Sequence, residues 1–298
     1  MQIYTTKSKN FDRAIDIYNV TDFNLKHIFE CGQCFRWNPF EDGYIGIANG
    51  IAAFVTYDEN DRILTIQCEN ASDTADFWIN YFDLKRDYSE IKKKLSGIDK
   101  YLNASVDFGY GIRLLNQEPF ETLISFILSA NNNIPRIKGC IEKLSERYGT
   151  KTSLGLYTFP TPKDLIGVSS DEISECCHAG YRCEYIVKTV KKYIERPIDV
   201  SLLREFSLTD AENYIRHYDG VGPKVADCIL LFTGSHYDAF PVDVWVKRVI
   251  EELYLGKESA LKEINKFAVG HFGELAGFAQ QYLFYFAREH IDIMKNIV

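Results

Sequence analysis

The stretch from Tyr218 to Trp245 constrains the fold more than any other part of this sequence. It reads YDGVGPKVADCILLFTGSHYDAFPVDVW and begins with a turn built on Gly220 and Gly222. Pro223 suits the first turn of a helix, and the apolar run that follows is typical of a buried helix. Because a helical pattern also precedes the turn, the sequence predicts two helices joined by a glycine hairpin.

Lys224 stands at the start of the second predicted helix, with Cys228 one turn further along the same face. An ammonium group beside a helix N-terminus and an apolar wall is poorly solvated, and both surroundings disfavour its charged form. A neutral amine is a nucleophile that forms a Schiff base with a sugar or carbonyl carbon. For this residue alone, a solvated lysine in a first helical turn is the alternative.

Asp243 follows in the segment Pro-Val-Asp-Val, immediately before another apolar helical pattern. The position predicts an N-cap. A carboxylate in the same place can also stabilise positive charge on a reacting sugar and relay a proton. The two roles are compatible, because a capping aspartate is held rigidly.

The hairpin gives an acidic chain a way to contact nucleic acid. The 298 residues carry a formal net charge of −8, so a general basic field is not available. Gly220 and Gly222 expose backbone N–H groups at a helix start, and such groups favour a phosphate. We therefore expect any nucleic-acid contact to use a local patch and backbone amides.

The spacing of apolar residues changes along the chain from strand-like to helical, which predicts an α+β fold. Residues 35–68 alternate apolar and polar side chains across turn signals, as antiparallel strands do. Residues 74–103 and most of the later chain follow the helical period, with helices at 136–147, 184–195 and 209–217. We expect a small N-terminal antiparallel β-sheet domain over residues 1–112 and a larger all-helical body over residues 113–298. Its two lobes would be roughly residues 136–220, and residues 113–135 together with 221–298.

Export, membrane insertion and metal binding are not expected. No apolar run is long enough to span a bilayer, and the first residues contain no apolar signal core. Eight cysteines without export predict reduced thiols. Cys31 and Cys34 form a C-x-x-C pair, but a second pair for tetrahedral zinc is missing, so half-buried thiols are the favoured interpretation.

Two segments together carry a family resemblance: Gly220-Val-Gly-Pro-Lys-Val-Ala-Asp-Cys228 and Phe240-Pro-Val-Asp-Val244. They resemble the signature of the helix–hairpin–helix DNA glycosylase superfamily, and most closely its 8-oxoguanine DNA glycosylase/lyase branch. The resemblance implies that Lys224 attacks C1′ of an extruded nucleotide and that Asp243 assists.

The implied activity is excision of 8-oxoguanine from double-stranded DNA, followed by β-elimination at the abasic site. It requires no cofactor and no catalytic metal, although a cation on hairpin carbonyls would be structural. We expect a monomer, located in the cytoplasm at the nucleoid of a bacterium or archaeon, or in the nucleus of a eukaryote.

The resemblance also assigns a pocket for the base. The segment CGQCFRW (31–37) resembles the one whose glycine carbonyl reads the N7 hydrogen that 8-oxoguanine has and guanine lacks, which assigns Gly32. Gln280 and Phe284 stand one turn apart in AGFAQQYLFYF, and they are implied to hydrogen-bond and stack on the base, with Cys228 on its other face. From the residues alone, a turn glycine and a core phenylalanine are the alternatives.

Two further segments are implied to contact the opened duplex. SANNNIPRI resembles the segment that fills the gap left by the base, which assigns Asn131 as the filler and Arg136 as a contact to the orphaned cytosine. HAGYRCEYI resembles the wedge, in which Tyr181 stacks into the duplex and Arg182 binds the cytosine edge. A helix stop and a half-buried loop tyrosine are the alternatives.

Two residues depart from the family pattern. Trp245 stands where many relatives have a histidine, a position that bears on a phosphate or active-site contact. Ala287 stands where an acidic residue is often found, so selectivity for the opposite base is expected to be relaxed. The four-cysteine iron–sulfur loop of related branches is missing. Three alternative functions stay open: a lysine-dependent glycosylase for another lesion, a non-catalytic helix–hairpin–helix DNA-binding protein, and a helical protein-interaction scaffold.

Overall fold

An antiparallel sheet of six strands forms the N-terminal part of the protein, in the order β1-β2-β6-β5-β4-β3. The computed structural model describes residues 2–6, 14–69 and 71–295. The strands are β1 (Gln2–Thr6), β2 (Ala14–Tyr18), β3 (Asn38–Phe40), β4 (Gly43–Ala48), β5 (Ile51–Asp58) and β6 (Ile63–Cys68). The strands predicted from residues 35–68 are thus confirmed, and the first two strands extend the sheet at one edge.

A tight turn sets the register of the central hairpin. Asn49 and Gly50 have φ of 49° and 76°, so both residues occupy the left-handed region that two-residue hairpin turns require. The turn pairs Ala48 with Ile51 and aligns β4 with β5 along their length.

Helices make up most of the remaining chain, as the α+β prediction requires. They are α1 (Leu25–Phe29), α2 (Ala71–Tyr81), α3 (Tyr88–Ser96), α4 (Lys100–Phe108), α5 (Pro119–Ser129), α6 (Ile134–Tyr148), α7 (Pro162–Leu165), α8 (Ser170–Cys177), α9 (Arg182–Glu195), α10 (Val200–Glu205), α11 (Leu208–Ile215), α12 (Pro223–Phe232), α13 (Val244–Val249), α14 (Leu261–Phe272) and α15 (Ala276–Lys295). A π-helical turn, Ile250–Leu255, follows α13, and a 3-10 turn, Gly273–Leu275, precedes α15.

The helical pattern over residues 74–103 is divided among three helices. Asp83 has a φ of 49° and ends the first of them, and Asp87 and Asp99 are the N-caps of α3 and α4. Each capping carboxylate accepts from a backbone N–H in the next turn. Side chains of α3 and α4 pack into the core of the helical body, although they precede residue 112 in the chain.

The segment of residues 31–37 lies between two hydrophobic cores. Cys31 and Phe35 pack into the core of the helical body, whereas Cys34 and Trp37 pack into the core beneath the sheet. Side chains on both sides of Gly32 thus anchor the segment in the two cores.

Among the described residues, no helix combines the length and apolar character that a bilayer crossing needs.

Candidate active site

The helix–hairpin–helix consists of α11, α12 and the turn between them. Gly220 has a φ of 78°, and a Cβ there would lie 2.7 Å from a ring carbon of Tyr185. Gly222 is the N-cap of α12, and no described residue outside its immediate chain neighbours lies within 4 Å of a Cβ added there. The first glycine is therefore required by packing, whereas the second presents bare backbone to the surroundings.

Lys224 is the second residue of α12 and is partly exposed. Its Nζ lies 3.3 Å from Ser129 Oγ at the end of α5 and 5.3 Å from the ring centroid of Phe126. Cys228 is one turn along α12 and is buried, which raises the pKa of its thiol to about 12. The amine therefore lies between a hydroxyl group and apolar walls, beside a thiol that stays protonated.

Asp243 is the N-cap of α13, as the sequence predicts. Its Oδ1 accepts from the backbone N–H of Val246 at 2.8 Å. Burial raises the pKa of the Asp243 carboxyl above its usual range, and the Val246 hydrogen bond and the charge of Lys224 offset part of the rise. The carboxyl is thus held rigidly and has an increased affinity for a proton.

A solvent-open pocket of about 310 Å³ brings these groups together. Its walls include the predicted catalytic residues and the predicted base-contacting residues: Gly32, Lys224, Cys228, Asp243, Gln280 and Phe284. These residues come from the segment between the two cores, from α12, from the start of α13 and from α15. The structure therefore assembles one concave site from segments that are up to about 250 residues apart.

Gln280 lines this pocket and has a buried, unsatisfied side-chain acceptor. Its side chain is 5% exposed, and its Oε1 is buried without a hydrogen-bond partner among the described residues. A buried amide oxygen without a donor is costly, so this atom is suited to a ligand that donates an N–H group.

Phe284 packs against Gly32 at the entrance to the same pocket. Its Cε1 lies 2.9 Å from the position of a Cβ on Gly32, and the glycine has a φ of 86°. Any larger residue at position 32 would overlap the phenylalanine ring and strain the backbone.

Comparison with known proteins agrees with this assembly. Residues 17–123 match the family profile described as 8-oxoguanine DNA glycosylase, N-terminal domain, and residues 124–270 match that of the HhH-GPD superfamily base excision DNA repair protein. The probable N-glycosylase/DNA lyase of Methanothermobacter thermautotrophicus is 30% identical, over 90% of this chain and 95% of that protein. The chain belongs to the 8-oxoguanine DNA glycosylase family.

Two further proteins are similar to this member of the 8-oxoguanine DNA glycosylase family over most of its length. The N-glycosylase/DNA lyase of Saccharomyces cerevisiae is 29% identical, over 83% of this chain and 73% of that protein. The crystal structure of the Clostridium acetobutylicum 8-oxoguanine glycosylase/lyase, in complex with dsDNA containing cytosine opposite to 8-oxoG, superposes with a TM-score of 0.90. It is 43% identical, and the superposition covers 98% of this chain and 99% of that chain.

Three of the residues that the resemblance assigns to the duplex lie at adjoining loops of this family member. Asn131 is exposed with a φ of 49°, and Tyr181 is 55% exposed. Arg136 is also exposed and donates to the carbonyl of His178 at 3.1 Å. The Tyr181 hydroxyl lies 3.4 Å from the carbonyl of Ala130, which joins the two loops.

Arg182 is buried between the two loops. The residue is 5% exposed, and its guanidinium donates twice to the carbonyl of Ala130, once to Asn131 and once to Ala179. These bonds use four of the five donors that an arginine has. In this structure Arg182 holds the two loops together with four of its donors, and its contact with a cytosine edge stays a prediction.

The sequence analysis did not identify several other residues in or near the pocket. Phe126 and Gln281 line the pocket, and Ser129 contacts the lysine amine. Arg288 covers Phe284 with its guanidinium carbon 5.7 Å from the ring centroid. The sequence does not single out these residues. Phe126 resembles any other core residue of an apolar helix, and the contacts of the polar residues form only when the chain folds.

The thiols of this family member do not form a metal centre in the described residues, where no group of three or more His, Cys, Asp or Glu side chains could bind an ion. All eight cysteines fall in described segments and are free. Cys31 donates to the carbonyl of Ile28, and Cys34 to that of Phe29.

Proposed function

We propose that this protein excises 8-oxoguanine from double-stranded DNA and then cleaves the strand at the abasic site. One observation carries the proposal: the amine of Lys224 and the carboxyl of Asp243 share a pocket with an aromatic ring and an unsatisfied amide oxygen. The named activities of the family members, N-glycosylase/DNA lyase and 8-oxoguanine glycosylase/lyase, support it.

The pocket residues can recognise the damaged base by stacking and by hydrogen bonds. Phe284 and Cys228 would contact its two faces, and the Gln280 oxygen would accept from an N–H group on its edge. The carbonyl of Gly32 would accept the N7 hydrogen of 8-oxoguanine. Guanine has a lone pair at N7, so the same carbonyl would face another acceptor and disfavour the undamaged base.

The chemical step follows from the amine and the carboxylate. The Nζ lone pair of Lys224 forms a bond to C1′ while the C1′–N9 bond breaks. The base leaves with the electron pair of the C1′–N9 bond and takes up a proton. Opening of the sugar ring gives a protonated Schiff base. The Asp243 carboxylate stabilises positive charge on the sugar and relays a proton, which its raised pKa makes possible.

Strand cleavage uses the same intermediate. Loss of a C2′ proton from the Schiff base breaks the C3′–O bond and expels the 3′ phosphate by β-elimination. Water then hydrolyses the imine and releases Lys224 as the free amine. The electron-accepting iminium is the reason that one lysine serves both reactions.

Contacts outside the pocket would hold the duplex open. Backbone amides near Gly220 and Gly222 would bind a phosphate, Tyr181 would enter the base stack, and Asn131 would fill the gap. Arg136 and Arg182 would contact the orphaned cytosine, and Arg182 would also support the loops. Extrusion of the base costs a few kcal/mol, which stacking in the pocket would offset.

The domain division and the cellular site belong to the same proposal. We keep residues 1–112 and 113–298 as the two domains, with the two lobes of the helical part as predicted. The protein would act as a monomer on chromosomal DNA, in the nucleoid or the nucleus.

Borohydride trapping tests the proposal. The wild type is expected to form a covalent adduct with a duplex that contains 8-oxoguanine opposite cytosine, and Lys224→Gln is expected to bind the duplex without trapping. Binding without an adduct by the wild type would instead identify a non-catalytic DNA-binding protein. Equal excision from duplexes with several lesions would reject the preference for 8-oxoguanine.

A further inference from the structure

Side chains of the described residues donate hydrogen bonds to the backbone carbonyls on both sides of Gly32, but not to the carbonyl of Gly32. The carbonyl of Glu30 accepts from Arg288 Nη2 at 2.8 Å, and the carbonyl of Cys31 accepts from Gln281 Nε2 at 2.7 Å. The carbonyl of Gln33 accepts from the Gln117 side-chain amide at 2.8 Å. No described residue donates to the carbonyl of Gly32 itself.

Gln281 and Arg288 belong to the helix that also forms a wall of the pocket. Both are on α15, two turns apart, and Gln280 and Phe284 of the same helix face the base site. Gln281 is 1% exposed, so its amide is fixed by packing as well as by the hydrogen bond. One rigid helix therefore sets both the base-contacting side chains and the backbone of the segment opposite.

Gly32 needs such support because of its own backbone freedom. A glycine in the left-handed region can rotate its flanking peptides at little cost. The buried carbonyl of Cys31 would be unsatisfied without the Gln281 amide, and an unsatisfied buried carbonyl favours rotation of its peptide toward a new donor. Rotation of this peptide changes the φ of Gly32 and can thereby change the direction of the Gly32 carbonyl in the next peptide.

We propose that Gln281 is a positioning residue for recognition of the damaged base: its amide holds the peptide between Cys31 and Gly32, so that the Gly32 carbonyl stays free and aimed at the base. The inference rests on the proposed function and deepens it. Gln281 would touch neither the sugar nor the reacting atoms, so its effect should fall on base recognition and spare the steps that follow base loss.

The substitution Gln281→Met separates these effects, because methionine keeps the length of the side chain and lacks the donor. We expect single-turnover excision of 8-oxoguanine to fall about 10- to 100-fold, the range expected when a recognition group is displaced by up to about 1 Å. Nicking of a preformed abasic duplex, which has no base to recognise, should stay within about twofold of the wild type. In a Lys224→Gln background, the same change should reduce the binding preference for 8-oxoguanine over guanine.

Ser105→Ala is the matched control. Ser105 is fully buried and donates to the carbonyl of Tyr101 at 2.7 Å, so its substitution also removes one buried hydrogen bond, but away from the pocket. This variant should keep the ratio of excision to nicking.

Two results would overturn the inference: equal loss of excision and nicking in Gln281→Met, which indicates general damage, or unchanged excision. The wild type reports on the proposed function separately, since failure to excise 8-oxoguanine would contradict that function whatever the variant does.

Discussion

The Nζ of Lys224 lies 3.3 Å from the Oγ of Ser129, and Ser129 donates its own hydroxyl hydrogen to the carbonyl of Phe126 at 2.8 Å. The lone pairs of the serine oxygen therefore face the amine. Because a lysine side chain has four flexible bonds, this contact and the Phe126 ring restrict where the nucleophile can lie.

Substitution of Ser129 by alanine should slow both reactions that use the amine. Loss of one hydrogen bond of moderate strength corresponds to a decrease of about 3- to 10-fold. Borohydride trapping with damaged DNA and nicking of an abasic duplex should decrease in parallel, while duplex affinity stays unchanged. Normal trapping by Ser129→Ala would show that the amine is positioned by other groups.

The two roles of Asp243 can be separated by choice of substitution. Asparagine caps helices as well as aspartate does, so the free energy of unfolding of Asp243→Asn should lie within about 0.5 kcal/mol of the wild-type value. Asp243→Ala removes the cap and should lose about 1 kcal/mol. Both variants should lose about 100-fold or more in excision, because both lack the carboxylate. Thermal unfolding and single-turnover excision measure the two effects, and an active Asp243→Asn would exclude a catalytic carboxylate.

The two hairpin glycines should respond differently to alanine. At Gly220, a Cβ meets Tyr185 and the φ of 78° is strained, so we expect a loss of about 2 kcal/mol or more in stability. At Gly222, the space is open, so stability should change by less than about 1 kcal/mol. Its new methyl group should instead weaken DNA binding several-fold where a phosphate approaches the backbone. Urea unfolding and a DNA titration distinguish the pair, and unchanged affinity of Gly222→Ala would place the phosphate elsewhere.

Glu121 should make stability depend on pH. Burial raises the pKa of this carboxyl to about 7 from its usual 4.5, although the positive charge of Arg36 opposes the rise. The folded state thus holds the proton more tightly than the unfolded chain. This contribution is complete below about pH 4.5 and is lost as the pH rises through about 7.

Glu121→Gln should therefore flatten the stability profile between pH 5 and pH 8. We expect the wild type to lose on the order of 2 kcal/mol over this window through Glu121. Urea unfolding at several pH values measures the difference, and Glu146→Gln, which changes an exposed carboxyl, is the control. Parallel profiles for wild type and Glu121→Gln would contradict the assignment.

The sequence places Lys224, Cys228 and Asp243 because they lie in short motifs with fixed backbone geometry, whereas Gly32, Gln280 and Phe284 were assigned through the family resemblance. The hairpin glycines place Lys224 and Cys228 on one helix face, and a proline-flanked aspartate predicts the N-cap that Asp243 forms. The contacts of Asn131, Arg136 and Tyr181 with DNA stay predictions.

Other features depend on partners that are distant in the chain. Gln281 contacts a carbonyl that is 250 positions away, and no local pattern indicates this. The same holds for Arg182, whose carbonyl partners in the loop at Ala130 lie about 50 residues earlier. The sequence did not predict that the helical pattern over residues 74–103 is divided into three helices. Asp87 and Asp99 begin two of them as N-caps, but an aspartate in a sequence does not by itself show that its carboxylate caps a helix.

The ring of Tyr185 separates two surfaces, since it touches Gly220 on one side and meets the Tyr181 ring edge-on at 5.8 Å on the other. If the hairpin binds a phosphate and Tyr181 enters the base stack, as proposed, the Tyr185 side chain would set the distance between these two contacts with DNA.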